Sequence, residues 1–408
     1  MATEKTVTFG AVGDIQFCGA CAENMRAYGN GWLMEKMIPT LRRADVLFGN
    51  MESVTLPPEY PDDQIDGRGM VSEFDGTAAL KEAGFDFMNL AANHVLDGGT
   101  LGMFHTKKVI EAIGIATAGV GRTQAEARRL TVIEKAGLRW GFLCYCEDSN
   151  YTLAARGPGY AYYTPRTVLA DIRKHRASVD VLVVSIHADL EFMETPAAPR
   201  RDAGRQFARA GATLVLMHHP HVPQGVERIG DSLVAYSLGN FAFDAHSSRY
   251  MKSNGPYTGF SFVLLAEVSK RGVESFQRVP LKIAEPPEER PFPLEGEEAR
   301  RLLAYFDELD RKVADDAIVK ANWRAKALWM LERHIRQIRE LEDGRPIQHL
   351  LGKTLFVAEN RSWAAEACRA LREQWQKKGG RVDRLHRPSH AFDELMKPRP
   401  QPAPPAQG

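Results

Sequence analysis

Between Val7 and about residue 285, short apolar runs alternate with stretches of helical spacing. The runs fall at residues 7–13, 46–48, 87–90, 179–186, 214–217 and 233–236, and several are apolar throughout instead of alternating. Strands of that kind are buried on both faces, so helices or a second sheet must cover them. Helical stretches at 32–43, 76–83, 100–113 and 199–210 lie between the runs. This limits the chain to an α/β sandwich or a doubly wound sheet. Residues 130–146 and 260–283 each read as a hairpin, turning at Ala136-Gly137 and Arg271-Gly272. Parallel pairs are therefore expected in the middle, with antiparallel strands at the edges.

The apolar runs share a second property: each ends in a residue able to bind a cation. Asp14 follows the first, Glu52 the second, and Asn93, His94 and Asp97 the third. His187, Asp189 and Glu191 follow the fourth, His218, His219 and His221 the fifth, and Asn240 the last. In open α/β sheets functional groups gather beyond the carboxyl ends of the strands. His219 and His221 are two apart, so in an extended segment both lean to one side, with Pro220 stiffening the turn and His218 as a neighbour. Carboxylates can bridge two cations while imidazoles and an amide oxygen complete each shell, which suits a dinuclear site. Three positions separate His94 from Asp97, so in a turn Asp97 can accept from His94, fix its tautomer and leave it as a general acid.

These blocks resemble a known family. Gly13-Asp14, Gly49 to Glu52, Ala92-Asn93-His94 with Asp97, His187 with Glu191, His219-Pro220-His221 and Tyr236 to Phe241 look like the ordered motifs of the CapA (poly-γ-glutamate capsule synthesis) family. That family belongs to the calcineurin-like metallophosphoesterase superfamily, and the resemblance covers roughly residues 7 to 285. It implies a four-layer α/β/β/α sandwich with the site at one edge of the paired sheets. Carried over by motif, Asp14 and His221 would bind a first metal, and Asn93, His187 and His219 a second. Glu52 would stand at the bridging position and His94 would be the acid. Gln16 stands where the superfamily usually has a histidine, as is common in the CapA group. The usual His-Trp-Gly reads His187-Ala188-Asp189 here, so Asp189 adds a carboxylate near the metals or a substrate contact. Glu191 and Asn240 are further candidates for substrate contact, or for holding loops by hydrogen bonds.

The expected cofactors are divalent metal ions, two in number by the donor count, with Mn, Fe, Zn, Mg and Ca undistinguished. The leading function is a metal-dependent hydrolase acting on a phosphorylated or acidic, peptide-like substrate. Metal-assisted epimerisation at a peptide Cα and a non-catalytic scaffold for capsule or peptide biosynthesis are the alternatives.

Lys plus Arg (53) balance Asp plus Glu (52), so no global field favours nucleic acid. No apolar stretch approaches a membrane span, and the N-terminus has no apolar h-region, so a soluble, cytoplasmic protein is expected. Cys18, Cys21, Cys144 and Cys146 match structural zinc spacings poorly, and the last two alternate in a strand, where a thiol packs as a small apolar group. Arg128-Arg129 and Arg200-Arg201 read as solvated helix faces. The Pro-rich break near residue 285 divides a domain at 1–285 from a helical extension at 286–397, with a disordered tail at 398–408. In the extension, Leu328, Leu331, Ile335, Ile338 and Leu341 form an apolar stripe before Gly344 and Pro346, and a second helix is expected at 362–378. The stripe would pack on the core or form an oligomer interface.

Overall fold

The computed structural model describes residues 5–61, 69–147, 157–254, 256–339 and 358–377. Two sheets carry the fold. In the eight-stranded sheet, Val7–Ile15, Val46–Met51, Phe87–Asn89 and Ala116–Ala118 run parallel. The Phe260–Ser269 and Gly272–Ile283 hairpin joins antiparallel on the other side of Val7–Ile15. In the six-stranded sheet, Leu138–Cys146, Val181–His187, Leu214–His218 and Ser232–Ala235 run parallel. Thr131–Lys135 and Val226–Ile229 close its two edges antiparallel. The parallel centres match the run pattern; antiparallel strands close both edges of the smaller sheet but one edge of the larger, whose other edge, Ala116–Ala118, pairs parallel.

Strand periodicity decides which side chains face the site. Phe142, Cys144, Val181, Val183, Leu214 and Leu216 point into the main core. Their alternates Leu143, Tyr145, Leu182, Val184, Val215 and Met217 pack under helices Pro165–His175 and Ala198–Ala210. Rings interlock the sheets: Phe9 stacks on Trp140 at 5.5 Å, and Phe142 lies 3.8 Å from Phe87 and 6.2 Å from Phe48. Burying one such ring contributes about 1.5–3 kcal/mol. Cys144 and Cys146 are buried in this core, as small apolar groups.

Several expectations are corrected. The single helix expected at 32–43 is broken into 3₁₀ turns Asn30–Leu33 and Glu35–Met37 and a short helix Ile38–Leu41. Pro39 sits in the first turn of that helix, the one place where its missing N–H removes no hydrogen bond. The break near 285 does not end the core. Pro291–Pro293 adds an edge strand to the larger sheet, and Leu302, Tyr305, Phe306 and Leu309 of helix Gly296–Ala314 are buried in the main cluster. Arg128 makes a two-point contact with Asp171 at 2.8 and 2.9 Å, so it is no solvated face. Arg200 pairs with Glu147, and the buried Arg201 reaches Asp316 at 2.8 Å.

The later helices, Asp316–Arg339 and Ala358–Lys377, pack on each other through Val319, Trp323, Ala327, Trp363, Ala367 and Ala370. They rest on Leu190, Met193 and Ala197, in the loop that follows His187. Leu328 of the expected stripe is buried there, whereas Ile335 is exposed. Leu341, Gly344, Pro346 and the tail at 398–408 lie outside the described residues, as does the side chain of Ile338. No helix among the described residues is long and apolar enough to cross a membrane.

Candidate metal centre

Both sheets deliver side chains to one crevice at the carboxyl ends of their parallel strands. Asp14, near the end of the first strand, is in register with Asn50 of its neighbour and with Asn240 on its other side. This close approach is possible because residue 13 is glycine. A Cβ there would collide with the carbonyl oxygen of Gly239, which itself accepts from the Asp14 N–H at 2.9 Å. Gly13→Ala is therefore expected to destabilise the protein by about 1–3 kcal/mol or more, read as a fall in the denaturant midpoint.

From the other sheet, His187 and His218 end adjacent strands in register. Beyond them the backbone turns through His219 at φ 94° and His221 at φ 57°, both in the left-handed region. Residues other than glycine adopt that region uncommonly, histidine more readily than most, and backbone held there costs on the order of 1–3 kcal/mol per residue. The turn aims both rings inward, their centroids 5.8 Å apart.

Glu52 is the centre of the arrangement. It is fully buried, and neither carboxylate oxygen has a hydrogen-bond partner. Its Oε1 lies 3.6 Å from Nε2 of His187 and 3.6 Å from Nε2 of His221. Among the described residues, three donor groups cluster tightly enough to hold a cation: Glu52 with His187 and His219, Asp14 with Glu52 and His221, and Glu191 with His219 and His221. Glu52 belongs to the first two, His219 to the first and third, and His221 to the last two. Burial raises the Glu52 pKa well above the usual carboxylate range, and the charges of Asp14, Glu191 and Asp97 add to it. Burial, and then neighbouring histidines, lower the pKa values of His187 and His219 well below the imidazole norm. Neutral imidazoles keep a lone pair free for a metal, and a buried carboxylate without donors is suited to a cation. The residues present fit divalent metal ions.

Amides fix the orientation of these groups. Nδ2 of Asn240 donates to the carbonyls of Thr258, at 3.0 Å, and His221, at 3.4 Å. Its Oδ1 must then accept from Nδ1–H of His221 at 2.9 Å, which leaves Nε2 facing Glu52 with its lone pair. Asn240 thus positions His221. Asn50 donates to Asp14 Oδ1 at 2.8 Å and accepts from Asn89 at 2.6 Å. Asn93 Oδ1 lies 2.9 Å from His187 Nε2. His94 Nδ1 is 2.7 Å from Asp97 Oδ2, the contact expected from their spacing, and the His94 ring is partly open to solvent.

The crevice brings together Asp14, Glu52, Asn93, His187, His219 and His221, with the His94–Asp97 pair nearby. It also draws in Glu191, whose Oε1 is 3.8 Å from His221 Nε2 and whose other oxygen meets the Tyr250 hydroxyl. Asp189 has a different place. Its two oxygens accept from the N–H groups of Leu190 at 2.8 Å and Ala197 at 2.9 Å, so it ties the loop together at φ 103°. Burial pushes its pKa up to about 6. Asn50 and Asn89 are positioning residues that the sequence pattern does not single out. Their one sequence signal is that each is a buried-strand amide at or next to a strand end. His218 is fully buried on the inner face, stacked 5.9 Å from Phe48 with Nδ1 3.5 Å from Asp14 Oδ1.

Residues 8–245 match the family model described as bacterial capsule synthesis protein PGA_cap. The chain belongs to that family. The capsule biosynthesis protein CapA of Bacillus anthracis is 27% identical over 290 residues, covering 69% of this chain and 68% of that protein. The PGA biosynthesis protein CapA of Bacillus subtilis is 27% identical over 280 residues, covering 67% and 71%. A solved 5'-nucleotidase precursor from Thermus thermophilus has 10% identity and a TM-score of 0.43, covering 74% of this chain and 59% of that one. The PGA_cap match includes every residue of the crevice and stops before helix Gly296–Ala314 and those that follow it.

Proposed function

We propose that this chain is a metal-dependent hydrolase that acts on a phosphorylated or acidic, peptide-like substrate, with two divalent cations that Asp14, Glu52, His187, His219 and His221 would hold. The observation that carries the reading is the isolated Glu52 carboxylate, equidistant from two histidines of different donor groups. Asp14 and His221 would hold one cation, His187 and His219 the other, with Asn93 and Glu191 at the margins. When bound, the cations would polarise a substrate oxygen and lower the pKa of attacking water. Asp97 holds the His94 ring through Nδ1, so Nε2 is the atom that, once it too carries a proton, passes that proton to a leaving group and returns to the neutral ring. A pure scaffold gains nothing from an unpartnered buried carboxylate, which argues for a working site. The names of the CapA relatives favour a capsule polymer or its precursor as the substrate.

Turnover of a generic phosphodiester with added Mn²⁺ tests this reading. Measurable hydrolysis that Asp14→Ala removes is the expected outcome. Deuterium uptake at a peptide Cα in heavy water, without hydrolysis, would replace it with epimerisation.

A further inference from the structure

Beside the metal centre lies a cleft of about 300 Å³ whose walls include Glu191, Phe192, Tyr250, Lys326, Trp329 and Arg333. Glu191 belongs to both the cleft and a donor group, and the Phe192 ring lies 6.2 Å from the ring of His221. The cleft therefore opens directly alongside the crevice. Its outer wall is helix Asp316–Arg339, where residues 326, 329 and 333 repeat at one-face spacing. Val319, Trp323 and Ala327 line the adjoining face, in the packing with Ala358–Lys377.

The wall is cationic. The Lys326 ammonium donates to the Glu191 carbonyl at 2.9 Å and lies 4.7 Å from the Trp329 ring, while Arg333 sits 5.7 Å from the same ring. The arginines that face neighbouring elements, Arg200, Arg201, Arg205, Arg278 and Arg324, each reach a carboxylate. Arg333 makes no ion pair among the described residues, and it is exposed at the mouth of the cleft. The Arg333 guanidinium, held over an indole, is a fork ready for an anionic oxygen group, and the Lys326 ammonium, already hydrogen-bonded to Glu191, adds positive charge beside it.

We propose that this cleft binds a carboxylate- or phosphate-bearing part of the substrate, with Arg333 and Lys326 as the specificity-determining cations. Calling the bound molecule a substrate rests on the hydrolase reading; the anion site itself does not. The helical extension then has a task of its own: it selects charged chains for a centre built by the two sheets.

Calorimetric titration of the metal-stripped full chain tests the proposal with three probes: end-blocked triglutamate, end-blocked triglutamine and pyrophosphate. One anionic probe is expected to bind about tenfold tighter than triglutamine, and triglutamate or pyrophosphate as the tighter of the two tells carboxylate from phosphate. Arg333→Ala, at an exposed position, is expected to erase that preference, and Lys326→Met to reduce it. Equal affinity for all three probes, or an unchanged preference in Arg333→Ala, overturns the proposal. Metal content, measured on the loaded protein in parallel, separates the two readings. Normal loading without anion preference removes the cleft alone, whereas anion preference without metal retention removes the hydrolase alone.

Discussion

Glu52→Gln is expected to weaken divalent-metal binding by more than about 100-fold and to remove turnover, while making the metal-stripped protein more stable. The two effects share one cause. A glutamine would keep the shape of the side chain but lose the charge that the proposed cations would need. In the stripped protein the same charge has no partner, since both oxygens of Glu52 are buried without donors. Leaving such a group unpaired costs about 1–3 kcal/mol or more, and the substitution relieves it. The pH dependence has a definite sign. The folded-state pKa of Glu52 lies above the unfolded value of about 4.3, so its contribution is complete below that pH and is lost as pH rises through the folded pKa. The stability advantage of Glu52→Gln over the wild type, both metal-free, should therefore widen from acid toward neutral and alkaline pH. Denaturant melts at a series of pH values check this, and an advantage that narrows with rising pH would oppose it.

His94→Ala is expected to lower kcat by about 10²–10⁴-fold while the metal content stays at the wild-type level. His94 belongs to none of the three donor groups, its ring is partly exposed, and its Nδ1 is committed to Asp97. Those features suit proton delivery better than ligation. Asp97→Asn should give a smaller loss of kcat together with a displaced acidic or alkaline limb in the pH–rate profile, because the partner that holds the His94 tautomer has changed. Asp97 also accepts from the Met70 N–H at 2.7 Å, so circular dichroism should accompany the kinetics to detect any loosening of that loop. Loss of metal in His94→Ala would move this residue from acid to ligand.

Sequence carried the strand series, the parallel centres and the hairpins, because buried strands write themselves as apolar runs. It also carried the crevice residues, because each stands where a run ends. What it did not carry depends on partners distant in the chain. Arg200 and Arg201 look like a solvated helix face until Glu147 and Asp316 are brought beside them. Asp189, following His187, reads as a carboxylate near the metals or a substrate contact, whereas a left-handed backbone turns it back onto the N–H groups of Leu190 and Ala197. By sequence, Asn240 reads as a contact of the substrate or a holder of loops. Its two carbonyl partners assign it to holding His221. The Pro-rich stretch near residue 285 is a true punctuation of composition, but the chain beyond it returns to the larger sheet before the last two helices depart.

Glu52 is shared by two of the three donor groups, so a two-cation site would depend on its charge. Elemental analysis of the purified protein, dialysed after loading with Mn²⁺ or Zn²⁺ and set beside Glu52→Gln handled identically, addresses it most directly. About two metal equivalents per chain in the wild type, falling to one or none in the variant, is the expected result. A wild type that retains no divalent metal, or a variant that retains as much as the wild type, would contradict it.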